Sequence, residues 1–437
     1  MRKHLASLFL ALLPAFHSVQ AETPDRGFDV RDYRVQIDPD LTGKTVRGHE
    51  TIEFAITRPG LEAVEFDTGE LTIDAARIKS NAAEFHTTTK RVRIDLPARH
   101  AKSLVVEIDY HGTPRFGLEF HPERNELYTI FSNSQWMVCI DAPDARATLD
   151  LSVALPADLE MFAVGGFVSK KKMQDGRVQH HWRLDSPMPS YVYGFTAGRY
   201  NETSTRVGST ELHFASTDLA AADLKKVFAD TGDMLRFFAD RSGIAYRGAY
   251  SQVLVTDTIG QEMAGLSLMD EEFGRSMLAD ASHESLIAHE LAHQWWGNRV
   301  TCQDWNHFWL NEGLATFMAA AYLQHRFGDE VYAQQVERWH QRVEKLRAAG
   351  TDRSLVFKEW TKPTSDDRAV VYQKGAYVLH LLREELGDEA FWRGLRTYTR
   401  DYEGHFVTTA DFRRAMERGS GKDLSAFFAR WVEAPAG

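Results

Sequence analysis

Between His289 and Gly313 the chain carries the pattern that most constrains it. His289-Glu290-Leu291-Ala292-His293 reads H-E-x-x-H. On an α-helix, residues i and i+4 lie on one face, a turn apart, so His289 and His293 can turn two imidazoles toward one cation. That spacing suits zinc, which takes neutral histidine nitrogen and carboxylate oxygen in a tetrahedral shell. Glu290 stands one residue off that face. There a carboxylate can lean over a metal without binding it, as a general base must. Leu286, Ile287 and Leu291 give the helix an apolar face to bury. Such a short pattern can arise by chance, so its context matters. Eighteen residues separate His293 from Glu312, which opens a second helical pattern, Asn311-Glu312-Gly313-Leu314-Ala315-Thr316-Phe317. A catalytic zinc site needs three protein ligands and one open position for water. His289, His293 and Glu312 complete that set, so one Zn2+ is expected.

Around these residues stand His293-Gln294-Trp295-Trp296-Gly297-Asn298 and Trp309-Leu310-Asn311-Glu312-Gly313. Together with the spacing, they resemble the gluzincin aminopeptidases of the aminopeptidase N family. The resemblance implies a multidomain fold: an N-terminal all-β domain followed by a thermolysin-like, mainly α catalytic domain. It also implies a zinc-dependent enzyme that removes the N-terminal residue from peptide substrates by metal-activated water, with Glu290 as the base. Ile259-Gly260-Gln261-Glu262-Met263-Ala264-Gly265-Leu266 is similar to the family's Gly-Ala-Met-Glu-Asn loop when aligned on Gly265-Leu266. Glu262 then falls on the glutamate that binds the free α-amine. A fixed carboxylate there would hold an ammonium group and measure one residue to the scissile bond. Gln261 stands where the family usually has Met, and Met263 where it has Asn.

Val371-Tyr372-Gln373-Lys374-Gly375-Ala376 resembles the family's Tyr-x-Lys-Gly-Ala segment. Tyr372 then matches the tyrosine that hydrogen-bonds the oxyanion. A phenol O–H is a neutral donor, so it can stabilise developing charge without first losing a proton. Tyr377, in the same helix, is the competing choice. The family commonly places a carboxylate seven residues after the third ligand; here that position is Ala319, so support for the ligands must come from elsewhere. Asn133, Ser134 and Gln135 are candidates for an N-domain share in amine recognition. Two alternatives stay open. One is a gluzincin endopeptidase or a hydrolase of a non-peptide bond, against which Glu262 weighs. The other is a non-catalytic relative that binds protein through the β-domain, against which Glu290 and Tyr372 weigh.

The 437 residues exceed one comfortable core. Residues 1–21 read as a signal peptide: Arg2-Lys3, an apolar run from Leu5 to Phe16, then Val19-Gln20-Ala21 before the cut. The run is short for a bilayer span, so no stable membrane insertion is expected after cleavage, and the destination is outside the cytoplasm, in the periplasm. Residues 22–207 form the β-domain: Tyr33 to Ile37, Val92 to Leu96 and Val105 to Tyr110 alternate, with turn residues between. Trp136 to Pro143 and Arg146-Ala147-Thr148 resemble a signature of the family's N-terminal domain. Residues 208–437 form the catalytic domain. Leu219 to Arg241 has helical spacing and Ser251 to Val255 reads as a strand. Helices are expected over 283–297, 311–327, 330–348, 368–386, 388–401, 409–418 and 423–432. The last resembles the closing helix of the family's catalytic domain. Larger members continue into domains that roof the site, so a more open cleft is expected.

A net charge of −11 without a dense basic block excludes nucleic acid as a natural partner. Lys170-Lys171-Lys172 precedes the turn signal Asp175-Gly176 and is expected to lie in a solvated loop. Cys139 and Cys302 lack C-x-x-C partners and are expected to be buried free thiols. Oligomeric state is not encoded legibly.

Overall fold

The computed structural model describes residues 25–357, 360 and 362–434. The expected signal peptide lies outside the described residues. The first half is sheet because its apolar residues alternate. In Phe28–Asp40, Tyr33, Val35 and Ile37 turn inward while Arg34 and Gln36 face water. This strand is the axis of an eight-stranded sheet, antiparallel to Thr45–Ile56 on one side and parallel to Arg146–Leu155 on the other. A three-stranded sheet, with Ala63–Gly69 at one edge, shares its core. Phe28, Phe54 and Phe66 meet edge to face across that core, with ring centroids 5.5, 5.4 and 6.2 Å apart. Such aromatic pairs favour the edge-on geometry and add to their area burial. A four-stranded sheet, including Glu126–Thr129 and Phe195–Gly198, carries the domain up to the cleft.

Two readings of this half need correction. Lys170, Lys171 and Lys172 are not in a loop. They end the strand Gly166–Lys172, an exposed edge paired with Val178–Pro189. The turn signal itself is used: Gly176, at φ +90°, lies between the two strands. Charged residues suit this place, because lysines on an edge strand discourage further pairing. The boundary between residues 207 and 208 also moves. It would cut the hairpin of Asn201–Val207 and Thr210–Ser216, which belongs to the next sheet. The second domain begins with strands of its own, so period two persists beyond the crossing and helical spacing starts late.

That next sheet has five strands, in the order Asn201–Val207, Thr210–Ser216, Tyr250–Val255, Leu266–Asp270 and Gln261–Met263. Gln261–Met263 is the short edge strand beside the cleft. From Glu271 onward the domain is almost wholly helical. Trp309–Phe327 is its central helix, with fourteen of nineteen residues buried. Asp329–Ala349, Asp388–Asp401, Thr409–Ser420 and Ser425–Trp431 lie close to their expected spans. The segment 219–241 is two helices, Ala221–Val227 and Thr231–Ser242. The span 368–386 is divided: Ser365–Ala369, a π-helical turn Val370–Lys374, then Gly375–Leu386. The helix expected over 283–297 covers only Ser285–Ala292. Beyond it the bonding tightens to the i→i−3 turns Gln294 to Leu291 and Trp295 to Ala292, and the chain turns away at Gly297, whose φ is +130°. Cys139 and Cys302 are both buried and free. Among the described residues, no helix is long and apolar enough to cross a membrane.

Candidate metal centre and peptide cleft

The helix Ser285–Ala292 ends with His293 as its C-cap, and its last turn presents His289 and His293 together. Their Nε2 atoms are 3.1 Å apart. One oxygen of Glu312, from the first turn of Trp309–Phe327, lies 3.2 Å from His289 Nε2 and 3.3 Å from His293 Nε2. Ligands about 2.0 Å from a tetrahedral zinc stand about 3.3 Å from one another. The three atoms therefore form one face of such a tetrahedron, and the donor set suits zinc.

The charge balance points the same way. Glu262, Glu290 and Glu312 are buried around the two imidazoles. Burial pushes the Glu290 carboxyl well up; His293 opposes that, while Glu262 and Glu312 add to it. Burial likewise raises Glu262, opposed by His293 and reinforced by Glu312. Burial pushes His293 down, but the surrounding carboxylates outweigh it and hold the imidazole at about 10. His289, dominated by burial, is lowered. Among the described residues, histidine is the charge that balances these three converging carboxylates, and such a cluster calls for a cation.

Each residue of the surrounding motifs has a physical task. His293 Nδ1 donates to the Trp296 carbonyl at 3.0 Å, which fixes the tautomer and leaves Nε2 for a metal. This backbone carbonyl gives the support that a side chain at Ala319 does not. A Cβ on Gly297 would come 2.8 Å from His293 Nδ1, so glycine is needed both for that contact and for its φ. Gln294 accepts from the Gly265 amide at 2.9 Å and donates to the Met263 carbonyl at 3.0 Å. Asn298 donates to the Glu262 carbonyl at 2.8 Å. The ligand segment thus holds the Glu262 strand by its backbone. Trp295 and Trp296 donate their indole N–H groups to the Ile244 carbonyl and Thr399 Oγ1.

Asn311-Glu312-Gly313 divides its work similarly. Asn311 Oδ1 accepts from the Cys302 amide, and its Nδ2 donates to the Tyr191 hydroxyl of the first domain. A Cβ on Gly313 would stand 3.0 Å from the Gly375 Cα, so this glycine pair lets the two helices approach closely. That approach brings the π-helical turn, and Tyr372 within it, to the metal centre. Single π-turns inside helices recur at functional sites. The Tyr372 ring stacks on His289 with centroids 6.0 Å apart, with the Glu312 carboxylate among the charges around its hydroxyl. Burial, then the neighbouring carboxylates, raise its pKa well up, so it is a neutral donor. Tyr377 is turned elsewhere, stacked on His340 at 5.6 Å.

Asn133, Ser134 and Gln135 do not line the cleft. Asn133 donates to the Ser190 and Tyr193 carbonyls and accepts from Trp136, deep in the first domain. The Ser134 amide is bound to Asp141 and Gln135 lies against Gly69 and Gly117. Phe131 and Ser132, just before them, reach the cleft instead. Arg146, in the first-domain signature, donates to the Asn298 and Arg299 carbonyls at 2.9 and 3.0 Å, pinning the domains behind the ligand segment. Burial lowers its pKa to about 10. The cleft has a volume of about 1360 Å³, and His289, Glu290, His293, Glu312, Glu262 and Tyr372 all line it. Ordinary small-molecule pockets occupy about 300–1,000 Å³, so this one has room for more than one residue of a peptide.

The comparisons agree with this geometry. The chain is 24% identical to Probable aminopeptidase 2 of Sulfurisphaera tokodaii over 92% of its length and 53% of the relative's. It is 26% identical to Aminopeptidase N of Lactococcus lactis subsp. lactis over 93% of this chain and 51% of that one. It thus spans about half the length of these relatives. Its fold superposes on an M1 zinc metallopeptidase from Deinococcus radiodurans with a TM-score of 0.79 at 24% identity, covering 94% of this chain and 95% of the other. A mutant of that protein has been solved bound to a Tyr-Ser-Ala substrate. The Peptidase M1 N-terminal domain matches residues 30–192, and the Peptidase family M1 domain matches residues 231–431. Matched in that order across both halves, and with the His-His-Glu cluster in the second, the chain belongs to peptidase family M1.

Proposed function

We propose that the chain is a zinc-dependent aminopeptidase. The observation that carries this reading is Glu262, a buried carboxylate on the edge strand beside the metal centre. It is held there by contacts from the ligand segment itself. His289, His293 and Glu312 would hold a zinc ion, and the chemistry it would supply when bound is that of a Lewis acid near the scissile carbonyl and an attacking water. Glu290 takes a proton from that water and returns it to the leaving amine. Tyr372 donates its hydroxyl proton in a hydrogen bond to the carbonyl oxygen as charge builds there. Glu262 holds the substrate's α-ammonium and so confines cleavage to the first peptide bond.

Matched peptides with free and acetylated N-termini test this. The free peptide should be cleaved at its first bond and the acetylated one only poorly. Glu262→Ala should lower kcat/KM on the free peptide about a hundredfold or more, with zinc retained, because a charged hydrogen bond is removed. Comparable cleavage of both peptides, or cleavage at internal bonds, would overturn the reading. Export to the periplasm is part of the same proposal and rests on the leader pattern ending at Ala21. N-terminal sequencing of the protein from its own cells should begin at Glu22; an intact Met1 would sink that part alone.

A further inference from the structure

The edge strand Gln261–Met263 alternates as a strand must. Gln261 and Met263 turn toward the first domain, and Glu262 toward the metal centre. Met263 packs against Gly194 and Thr129. Gln261 is 1% exposed and makes two hydrogen bonds in opposite directions. Its Oε1 accepts from the backbone N–H of Phe131 at 2.9 Å. Its Nε2 donates to Glu262 Oε2 at 2.8 Å. The orientation of this amide is not arbitrary. A backbone N–H can only donate, so Oε1 must face Phe131 and the NH2 group must face the carboxylate.

We propose that Gln261 is a positioning residue that sets the Glu262 carboxylate for α-ammonium binding by tying it to the first domain. One oxygen of Glu262 is occupied by Gln261, which restricts rotation and leaves Oε1 to meet the amine. The far end of the tie is Phe131, at φ +56°, a conformation rarely adopted by a bulky side chain. The Ser132 amide reaches back across it to the Ile130 carbonyl at 2.8 Å. Phe131 is 42% exposed and stacks on Phe116 at 6.2 Å. Its side chain is thus not held by a core, and the Gln261 bond helps hold its backbone. The amine-binding carboxylate is therefore referenced to both domains: Asn298 fixes its backbone within one, and Gln261 links its side chain to the Phe131 backbone of the other.

This inference rests on the aminopeptidase reading, and its test separates the two. Gln261→Met keeps the volume and removes both hydrogen bonds. Gln261→Glu still accepts from Phe131 but sets a second carboxylate against Glu262. Each variant should lower kcat/KM on a free-amine peptide by about tenfold to a hundredfold, chiefly through KM, as expected for losing a bond to a charged group. Activity on the acetylated peptide and zinc content should stay as in the parent, while the melting temperature falls only modestly, as for the loss of one or two buried hydrogen bonds. In a Glu262→Gln background the same change at Gln261 should cost less than about twofold, because groups acting through one another are not additive. Parent-like KM in both variants, or an undiminished loss in the Glu262→Gln background, would overturn the positioning role. Gln261→Glu serves alone if Gln261→Met fails to fold. A parent enzyme with no preference for the free amine would instead defeat the aminopeptidase reading.

Discussion

Replacing His293 by alanine is expected to abolish zinc binding and activity together. The parent should carry about one zinc per chain, and the variant close to none after ordinary purification. The His293 Nε2 lies within 3.3 Å of both other ligand atoms, and at 1% exposure the residue is the more deeply buried of the two histidines. Without it, His289 and Glu312 remain, two ligands where a catalytic site needs three. Losing the imidazole also removes the group that opposes the upward shifts of Glu262 and Glu290. These carboxyls would then tend to protonate, which weakens the site further for any cation. Gly297→Ala gives the graded version. It leaves every ligand in place but drives a Cβ toward His293 Nδ1 and strains a backbone at φ +130°. Disturbing a ligand's outer hydrogen bond typically costs about tenfold to a hundredfold in metal affinity. Zinc titration with a competing chelator, read alongside peptide hydrolysis, ranks the three proteins. Full activity in metal-free His293→Ala protein would remove the basis of the metal assignment.

What the sequence reveals and conceals follows from distance along the chain. His289 and His293 are one helical turn apart, so their convergence follows from helix geometry alone. Glu312 needs the longer spacing, and Glu262 and Tyr372 need a family's pattern to be singled out. The ties that hold them are less accessible still. Gln294 reaches Met263 across 31 positions, Asn298 reaches Glu262 across 36, and Gln261 reaches Phe131 across 130. No periodicity reports such pairs. The amide residues of His-Gln-Trp-Trp-Gly-Asn read as a signature, and only the folded chain shows that they bind the Glu262 strand. Asn133 illustrates the opposite failure. In sequence it is a candidate for a share in amine recognition, but a buried asparagine can equally serve backbone carbonyls, and here it does. In the fold, alternation exposed the strands but not the crossing between domains, because strands lie on both sides of it. The triple lysine was misplaced for a related reason: polar composition marks exposure, and an edge strand is as exposed as a loop.

Glu290→Gln and Tyr372→Phe should separate chemistry from metal binding. Neither residue is in the ligand set, so both variants should keep about one zinc. Glutamine has the shape of glutamate but cannot take up a proton at neutral pH, so kcat should fall by about a hundredfold to ten-thousandfold. Phenylalanine keeps the ring that stacks on His289 and loses only the hydroxyl beside Glu312. Its loss should be about a hundredfold to a thousandfold in kcat with little change in KM, since the bond strengthens only as charge builds on the oxygen. Tyr377→Phe is the internal control, because that ring lies against His340 rather than the metal centre. It should be close to the parent. Zinc content must be measured on the same preparations used for kinetics. A near-normal Tyr372→Phe beside an inactive Tyr377→Phe would move the oxyanion donor to the next turn of the helix. A Glu290→Gln enzyme with parent kcat would mean that another group accepts the proton. Among the described residues, the other carboxylates lining the cleft have duties of their own: Glu312 is a ligand, Glu262 is tied to Gln261, and Asp141 accepts from Ser132 and Ser134.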